Sequence, residues 1–110
     1  MQVTERSRGR WHVVAVAGRA DNTTAPSLTA ALRHAIASHS HVAVDCSGID
    51  YISSAGIGAL VEGTVAARRA GRCLTLCAPS PRVQQVLKVT KLDTVLDIEP
   101  TLAALDAQAD

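Results

Sequence analysis

The feature that most constrains this fold is a strand–helix–strand pattern in the middle of the chain. The segments His41–Asp45 and Cys73–Ala78 are short and almost continuously apolar, which is typical of strands buried on both faces of a sheet. Between them, Ser54–Arg69 repeats apolar residues at the helical period, and Gly71 follows as a helix-ending residue. Since neighbouring parallel strands need a crossover of this kind, the pattern predicts a βαβ unit. The residues of this helix expected to face the sheet are Ile57, Leu60, Val61, Thr64 and Val65.

The segments before this unit predict two more strands and a helix. Gln2–Glu5 and Trp11–Ala17 alternate as strands do, and the polar stretch 7–10 between them is long enough for a hairpin turn. Ala25–Ser38 predicts a helix, because Thr24 and Pro26 suit its first turn and apolar residues recur along one face. The apolar face consists of Leu28, Leu32, Ala35 and Ile36.

The segments after the unit complete the expected fold. They predict a short helix at Pro81–Thr90, an edge strand at Val95–Ile98 and a last helix at Thr101–Gln108, anchored by Leu102 and Leu105. The fold class is therefore α/β, with a mixed central β-sheet of about five strands and about four helices. A chain of 110 residues supports one hydrophobic core, so we expect a single domain over residues 1–110.

The charge balance and hydropathy exclude several classes of function. Eleven basic and ten acidic side chains leave a net charge of +1, and no Lys or Arg run is longer than Arg68-Arg69. The sequence therefore has no basic surface of the kind that binds nucleic acid. Its apolar stretches fall well short of the roughly 20 residues of a transmembrane helix. We expect a cytoplasmic protein with protein partners and without direct membrane insertion.

The three cysteines, Cys46, Cys73 and Cys77, do not form a recognisable site. They include no CxxC pair and no clustered histidine, which argues against both a disulfide framework and a structural zinc site. We interpret all three as small core residues, and we expect neither a metal nor another cofactor.

The segment Asp45–Gly58 concentrates polar residues where a strand leads into the second helix, and its local chemistry allows two interpretations. In the first, Ser53 caps the helix, Ser54 is an ordinary first-turn residue and the glycines allow close packing on the sheet. In the second, the helix N-terminus tolerates a phosphate on Ser54, while Gly56 and Gly58 leave the surface open to a partner's backbone.

Three enzyme motifs can be compared with the same segment, and all three fail. A P-loop needs a Lys after its glycines, a nucleophile elbow needs a Gly where Ile52 stands, and a dinucleotide fingerprint needs more glycines than Gly56 and Gly58. The four histidines, which could otherwise serve as a general base, all lie outside the motif. We therefore expect no catalytic residues and no enzyme activity.

Three separated stretches carry a family resemblance: residues 18–21 (Gly-Arg-Ala-Asp), residues 45–58 and residues 79–81 (Pro-Ser-Pro). Together they resemble the STAS family of bacterial anti-sigma-factor antagonists over nearly the whole chain. The central stretch is the most specific, since it fits the family's motif almost position for position.

The resemblance implies an anti-anti-sigma factor that works by partner switching. In its unphosphorylated form such a protein binds an anti-sigma factor, a serine kinase of the histidine-kinase-like ATPase fold, and thereby releases a sigma factor. Phosphorylation at the position of Ser54 ends this binding, and a phosphatase restores it. The resemblance also assigns Asp21 to the partner surface, although from local chemistry it is equally a turn residue. The partner-binding residues expected on this basis are Asp21, Asn22, Ser53, Ser54, Gly56 and Ile57.

Two departures from the best-known family sequences leave alternatives open. Ser53 stands where those members often carry Asp, and Ala55 stands where they carry a second Ser. Ser53 is thus an alternative phosphorylation site, and the missing carboxylate puts the efficiency of phosphorylation in question. The alternative function is a STAS scaffold subunit of a signalling or transport assembly that is never phosphorylated.

The partner-switching hypothesis makes geometric demands on the fold. We expect the second helix to begin at Ser53 or Ser54, directly after a loop from the third strand. The Ser54 side chain should be solvent accessible, and Asp21 should lie on the same surface.

Overall fold

A computed structural model describes residues 1–108 and shows one five-stranded mixed sheet with helices, which confirms the expected α/β class. The strands are β1 (Gln2–Arg8), β2 (Trp11–Ala20), β3 (His41–Ile52), β4 (Cys73–Cys77) and β5 (Ile98–Glu99). The helices are α1 (Ala25–Ser38), α2 (Ser54–Arg69) and α3 (Pro81–Val89), with short 3-10 helices at Leu92–Thr94 and Leu102–Gln108. No helix among these residues is long and apolar enough to cross a membrane.

The order of the strands explains the position of the helices. Strands β1 to β5 are adjacent in sequence order, with β1 antiparallel to β2 and all later neighbours parallel. Each parallel connection contains one α-helix, and such crossovers are almost always right-handed. Successive right-handed crossovers in one direction place α1, α2 and α3 on the same face of the sheet.

The sheet therefore has two unequal cores. On the helix face, the alternating strand residues Val14, Val16, Val42 and Val44 pack with the apolar sides of all three helices. On the opposite face, a smaller cluster joins Trp11, Val13, Ala43 and Cys77 to Leu105 of the last 3-10 helix. This small cluster confirms Leu105 as the anchor of the C-terminal segment, with Leu102 packed beside it.

The largest correction to the expected fold concerns β3. The segment predicted as a loop, residues 46–52, continues the strand, so that α2 follows β3 with only Ser53 between them. It pairs with β2 through two irregularities: Ala15 pairs with Asp45 and Ala17 with Gly48, then Gly18 pairs with Ile49 and Arg19 with Tyr51. At each irregularity β3 carries one more residue than β2, as in a β-bulge. The bulges disturb the period of two, so the sequence of this segment resembles a loop.

Other differences are smaller. The edge strand expected at Val95–Ile98 is instead the two-residue β5, which shares only Ile98 with the prediction. A 3-10 helix at residues 92–94 precedes it, and Val95 is exposed. The last helix is of the 3-10 type rather than α. Cys46 and Cys77 lie in the core as expected, whereas Cys73 is exposed at the start of β4. Val65 is also exposed, since Gly63 and Ala67 lie on the buried side of α2 instead.

Two glycines at the start of α2 have opposite surroundings. A Cβ atom at Gly56 would collide with the backbone carbonyl oxygen of Ala20, and it would lie 2.9 Å from the Ile52 side chain. A Cβ atom at Gly58 would meet no atom within 4 Å. Gly56 is thus required by the packing of α2 against the end of β2, and Gly58 is not required by packing.

This contrast predicts opposite effects on stability. Gly56→Ala should lower the free energy of unfolding by about 1–3 kcal/mol, because α2 must move away from Ala20. Gly58→Ala should raise it by up to about 1 kcal/mol, since alanine has the higher helix propensity and meets no steric barrier. Urea denaturation followed by circular dichroism would measure both changes. Equal effects of the two substitutions would contradict the packing described for Gly56.

Candidate functional site

The candidate site lies where β2 and β3 end and α2 begins. The backbone N–H of Ser53 donates a hydrogen bond of 2.9 Å to the carbonyl oxygen of Ala20, the last residue of β2. Asp21 follows Ala20 directly, and Ser54 follows Ser53. The parallel pairing of the two strands therefore brings residues more than thirty positions apart in sequence to one end of the sheet.

The two adjacent serines have different roles in the structure. Ser53 is the N-cap of α2, and its side-chain oxygen accepts a hydrogen bond of 3.4 Å from the backbone N–H of Gly56. Ser54 is the first residue of the helix and is exposed, and its hydroxyl has no hydrogen-bond partner among residues 1–108. The helix thus begins where the sequence predicted it, and of the two serines Ser54 is the one that is exposed.

The carboxylate of Asp21 is held by the turn that leads into α1. It accepts hydrogen bonds from the Thr23 hydroxyl at 2.7 Å, from the Thr23 backbone N–H at 3.0 Å and from the Thr24 N–H at 3.3 Å. The Thr23 hydroxyl is the main cause that lowers the pKa of Asp21 to about 2, and the two backbone donors and Arg19 contribute in the same direction. Asp21 is therefore a negatively charged turn residue at neutral pH, and it is placed at the same end of the sheet as Ser54.

An open groove runs from this end between α1 and α2. Its volume is about 640 Å³, and it is more apolar than polar. One wall consists of Asn22, Ala25, Pro26 and Thr29, and the other of Ala55, Gly58, Ala59 and Glu62. Asn22, expected at the partner surface, thus shares a concave surface with Ala55, the residue after Ser54.

Gly56 and Ile57 were expected at the partner surface, but the structure buries both. Gly56 packs against Ala20 and Ile52, and Ile57 is only 7% solvent exposed. This agrees with the first interpretation of Gly56, close packing of helix on sheet, and gives these two residues an indirect role in positioning Ser54. The open glycine of this region is Gly58.

Two cations lie close to one aromatic ring beside the site, an arrangement that the sequence analysis did not predict. The guanidinium of Arg19 lies 4.1 Å from the centre of the Tyr51 ring, and that of Arg82 lies 5.7 Å from it. Arg19 also approaches the Asp21 carboxylate at 3.5 Å. Arg19 and Tyr51 belong to the stretches that carry the family resemblance, but Arg82 lies in α3, and only the fold brings it to Tyr51.

The strand that leads to Ser54 is also fixed to α3. The Ser80 hydroxyl donates to the Ile49 carbonyl oxygen at 2.7 Å, while the same oxygen atom of Ser80 accepts from Val83 N–H as the N-cap of α3. Two helix N-termini therefore lie at the same end of the sheet, each capped by a serine. Since helix N-termini carry partial positive charge, this end of the protein is electrostatically favourable for an anion.

The groups that could support other chemistry lie apart from Ser54 or are unreactive. Among residues 1–108 no three His, Cys, Asp or Glu side chains converge in a way that could hold a metal ion. His12 pairs with Glu5 at 2.6 Å and stacks on His39, near the start of β2. Burial raises the pKa of Cys46 far above its usual value, so its thiol is not a nucleophile at neutral pH.

Comparison with known sequences gives one family and no individual curated relative. The family model described as Mlab, STAS domain, matches residues 3–99 of the chain. No curated protein matches the sequence closely enough to count as a relative.

Several solved structures have the same fold. An anti-sigma factor antagonist from Mycobacterium paratuberculosis has 26% sequence identity and a TM-score of 0.83, and the alignment covers 99% of this chain and 94% of that one. A STAS domain protein from Planctomyces limnophilus has 23% identity and a TM-score of 0.82, with 98% of each chain covered. The Bacillus cell fate determinant SpoIIAA in its phosphorylated form has 14% identity and a TM-score of 0.74, covering 99% of this chain and all of that one.

The hydrogen bonds to Asp21 predict its titration behaviour. Carboxyl resonances followed by NMR between pH 1 and pH 7 should show a pKa near 2 for Asp21. Since the folded-state pKa lies below the ordinary value of 3.8, the contribution of Asp21 to stability is present above that value and is lost as pH falls toward 2. Thr23→Val removes the largest cause and should move the pKa of Asp21 upward. An unchanged pKa in this variant would show that the hydroxyl contact does not form.

Proposed function

Because this chain belongs to the STAS-domain family, we propose that it is an anti-anti-sigma factor whose binding is switched by phosphorylation of Ser54. In the unphosphorylated state it binds an anti-sigma factor in the cytoplasm and so releases a sigma factor. The observation that carries the proposal is the exposed Ser54 hydroxyl, which has no partner among the described residues, at the first position of α2.

The comparisons support this function in two ways. The solved structure with 26% identity is named an anti-sigma factor antagonist, and its alignment covers almost the whole of both chains. SpoIIAA, which shares the fold, has been solved in a phosphorylated form. The partner we propose is an anti-sigma factor of the histidine-kinase-like ATPase fold that acts as a serine kinase, with a separate phosphatase for the reverse step.

The proposed group transfer uses the Ser54 hydroxyl as the nucleophile. Its oxygen attacks the γ-phosphorus of ATP held by the partner, the bond from that phosphorus to the bridging oxygen breaks, and ADP leaves. A base of the kinase takes the hydroxyl proton, since this chain supplies no acidic residue in the first turn of α2. In the phosphatase reaction water attacks the phosphorus, which restores the hydroxyl and releases inorganic phosphate.

The surroundings of Ser54 explain how the phosphate can switch binding without unfolding the protein. A phosphoserine carries about −1.5 to −2 charge at neutral pH, and the N-terminus of α2 tolerates that charge. In a complex, however, the phosphate would have to lose its hydration and would repel carboxylates of the partner. Each 1.4 kcal/mol of such cost lowers the affinity about tenfold, so a few kcal/mol is sufficient.

The proposed contact surface combines direct and supporting residues. Ser54, Asn22 and the rim of the groove between α1 and α2 are exposed and can touch the partner. Ser53 caps α2, Gly56 and Ile57 fix its position, and Asp21 adds a negative charge held in place by its turn. The partner would therefore meet a rigid surface with Ser54 at its edge.

A second candidate function is a scaffold subunit of a signalling or transport assembly that never becomes phosphorylated. The observation that favours it is the absence of any acidic residue both in the first turn of α2 and at its N-cap, where Ser53 stands in place of the Asp that well-known members often carry. Without that carboxylate, fewer groups of this chain can polarise the Ser54 hydroxyl. In a scaffold Ser54 would be a contact residue only.

Co-purification from the native host, with mass spectrometry of the bound proteins, should recover an ATPase-fold anti-sigma factor. With that protein purified, Ser54→Asp should bind it at least about tenfold more weakly than wild type, because the added charge lies in the interface. Ser54→Ala should bind about as tightly as wild type, since it removes an exposed hydroxyl without adding charge or bulk. Calorimetric titration would measure both affinities.

Phosphate incorporation separates the alternatives. Incubation with the kinase and ATP should add one phosphate to wild type and to Ser53→Ala, and none to Ser54→Ala, as read from the intact mass. Because Ser53→Ala also removes the cap of α2, its folding must be checked by thermal unfolding first. Phosphate on Ser54→Ala but not on Ser53→Ala would move the site to Ser53. No phosphate on wild type with an active kinase would contradict the switch and favour the scaffold function instead.

A further inference from the structure

A positively charged surface adjoins the end of the sheet where β3 leads into α2. We call it the arginine face, and it consists of Arg19, Tyr51, Arg82, Gln85, Val86 and Val89. Arg19 and Tyr51 are paired residues of β2 and β3, and the other four recur at helical spacing along one side of α3. Ala20, which follows Arg19, accepts the hydrogen bond from Ser53. The arginine face therefore adjoins the surface that carries Ser54.

The two guanidiniums of the arginine face are not neutralised within the described part of the chain. Arg82 has no carboxylate within ion-pair distance among residues 1–108. Arg19 approaches Asp21, but the distance of 3.5 Å exceeds the roughly 2.7–2.9 Å of a charge-assisted hydrogen bond. Asp50, an exposed neighbour of Tyr51 in sequence, forms an ion pair with neither arginine. The arginine face thus has an excess of positive charge that an anionic partner would neutralise.

Tyr51 contributes to the arginine face through its aromatic ring. The ring centre lies 4.1 Å from the guanidinium of Arg19 and 5.7 Å from that of Arg82. Attraction of a guanidinium to a ring face leaves its N–H groups free to donate hydrogen bonds in the guanidinium plane. A carboxylate can accept two parallel hydrogen bonds from one guanidinium. Each arginine can therefore bind a carboxylate of a partner without losing its contact with Tyr51.

A shallow hollow on α3 adds an apolar part to the arginine face. Its volume is about 270 Å³, and its lining is more apolar than polar. The lining residues are Arg82, Gln85, Val86, Val89 and Thr90. Val89 is 77% exposed, so its side chain contributes little to the core. An apolar side chain of a partner could cover Val86 and Val89 while a neighbouring carboxylate reached Arg82.

We propose, as an extension that rests on the proposed function, that the arginine face binds an acidic segment of the anti-sigma factor. Carboxylates of this segment would contact Arg19 and Arg82, and an apolar side chain beside them would enter the hollow on α3. The complementarity of charge selects such a segment over a basic one. The same contact gives a phosphate on Ser54 its target, because the added negative charge would repel carboxylates bound close to it.

Calorimetric titration of the full chain with the co-purified anti-sigma factor tests the contact at Arg82, since Arg19 also approaches Asp21. Arg82→Gln should weaken binding about tenfold, and Arg82→Glu about a hundredfold, because the second change also repels the carboxylate. Val89→Ser should weaken binding several-fold. Arg69→Gln is the matched control, since it removes one exposed positive charge at the last residue of α2 and should leave the affinity unchanged.

The salt dependence of binding is a readout that a merely structural role of Arg82 would not change. Raising the NaCl concentration from about 0.05 M to about 0.5 M screens exposed charges, so it should weaken the binding of wild type more than that of Arg82→Gln. Equal affinities of wild type, Arg82→Glu and Arg69→Gln would overturn the proposal. Weaker binding of Ser54→Asp in the same titrations would then show that the proposed function stands without it.

A second measurement needs no anti-sigma factor. The probe is a peptide of sequence Glu-Glu-Leu-Glu-Glu with blocked ends, added to the full chain and followed by NMR. The ring signals of Tyr51 and the methyl signals of Val89 should shift saturably, and Arg82→Glu should abolish the shifts. The methyl signals of Val65, which is exposed on α2, should stay unchanged. Unchanged Tyr51 and Val89 signals in wild type at tens of millimolar peptide would show that the proposal is wrong.

Discussion

The parallel pairing of β2 with β3 determines the rest of this structure. It holds the two strands together through two bulges and ends in the hydrogen bond from Ser53 to Ala20. That bond fixes the start of α2 against the end of β2, and the absence of a side chain at Gly56 allows the close approach. The position of Ser54, the turn that holds Asp21 and the groove between α1 and α2 all depend on this contact. A register shift of one residue would turn alternate side chains of β3 to the wrong face and displace every one of these features.

The electrostatics at this end of the sheet are balanced rather than strongly biased. Two capped helix N-termini and the guanidiniums of Arg19 and Arg82 contribute positive potential, while Asp21 contributes a carboxylate that stays ionised at neutral pH. Both guanidiniums lie within 6 Å of the Tyr51 ring centre, at 4.1 Å for Arg19 and 5.7 Å for Arg82. In such surroundings a doubly charged group on Ser54 would be a large local perturbation, yet it would not oppose the helix that carries it. A charged group on Ser54 is thus expected to change what the site binds and to leave the fold intact.

Much of the fold follows from the sequence, because hydrophobic period and helix-ending residues are local signals. The βαβ unit, the bounds of α1 and α2 and the exposure of Ser54 were predictable in this way. The extension of β3 was not, since each bulge breaks the period of two that identifies a strand. Nor was the approach of Arg19 and Arg82 to the Tyr51 ring, which depends on contacts between residues far apart in sequence. Cys73 is exposed because β5 pairs only with the end of β4 and leaves the start of β4 uncovered. A strand of two residues has too short a sequence pattern for its position to be predicted.

The two outer strands of the sheet have a consequence for association with other chains. Outer strands offer unpaired backbone groups, and long apolar ones promote aggregation by strand addition. Here β1 is almost entirely exposed and carries Glu5, Arg6 and Arg8, while β5 has only two residues. The charged side chains of β1 disfavour strand addition at one margin of the sheet, and the short length of β5 disfavours it at the other. Addition of a strand from another chain is therefore disfavoured at both margins, which leaves the ends of the strands among the surfaces open to specific contacts.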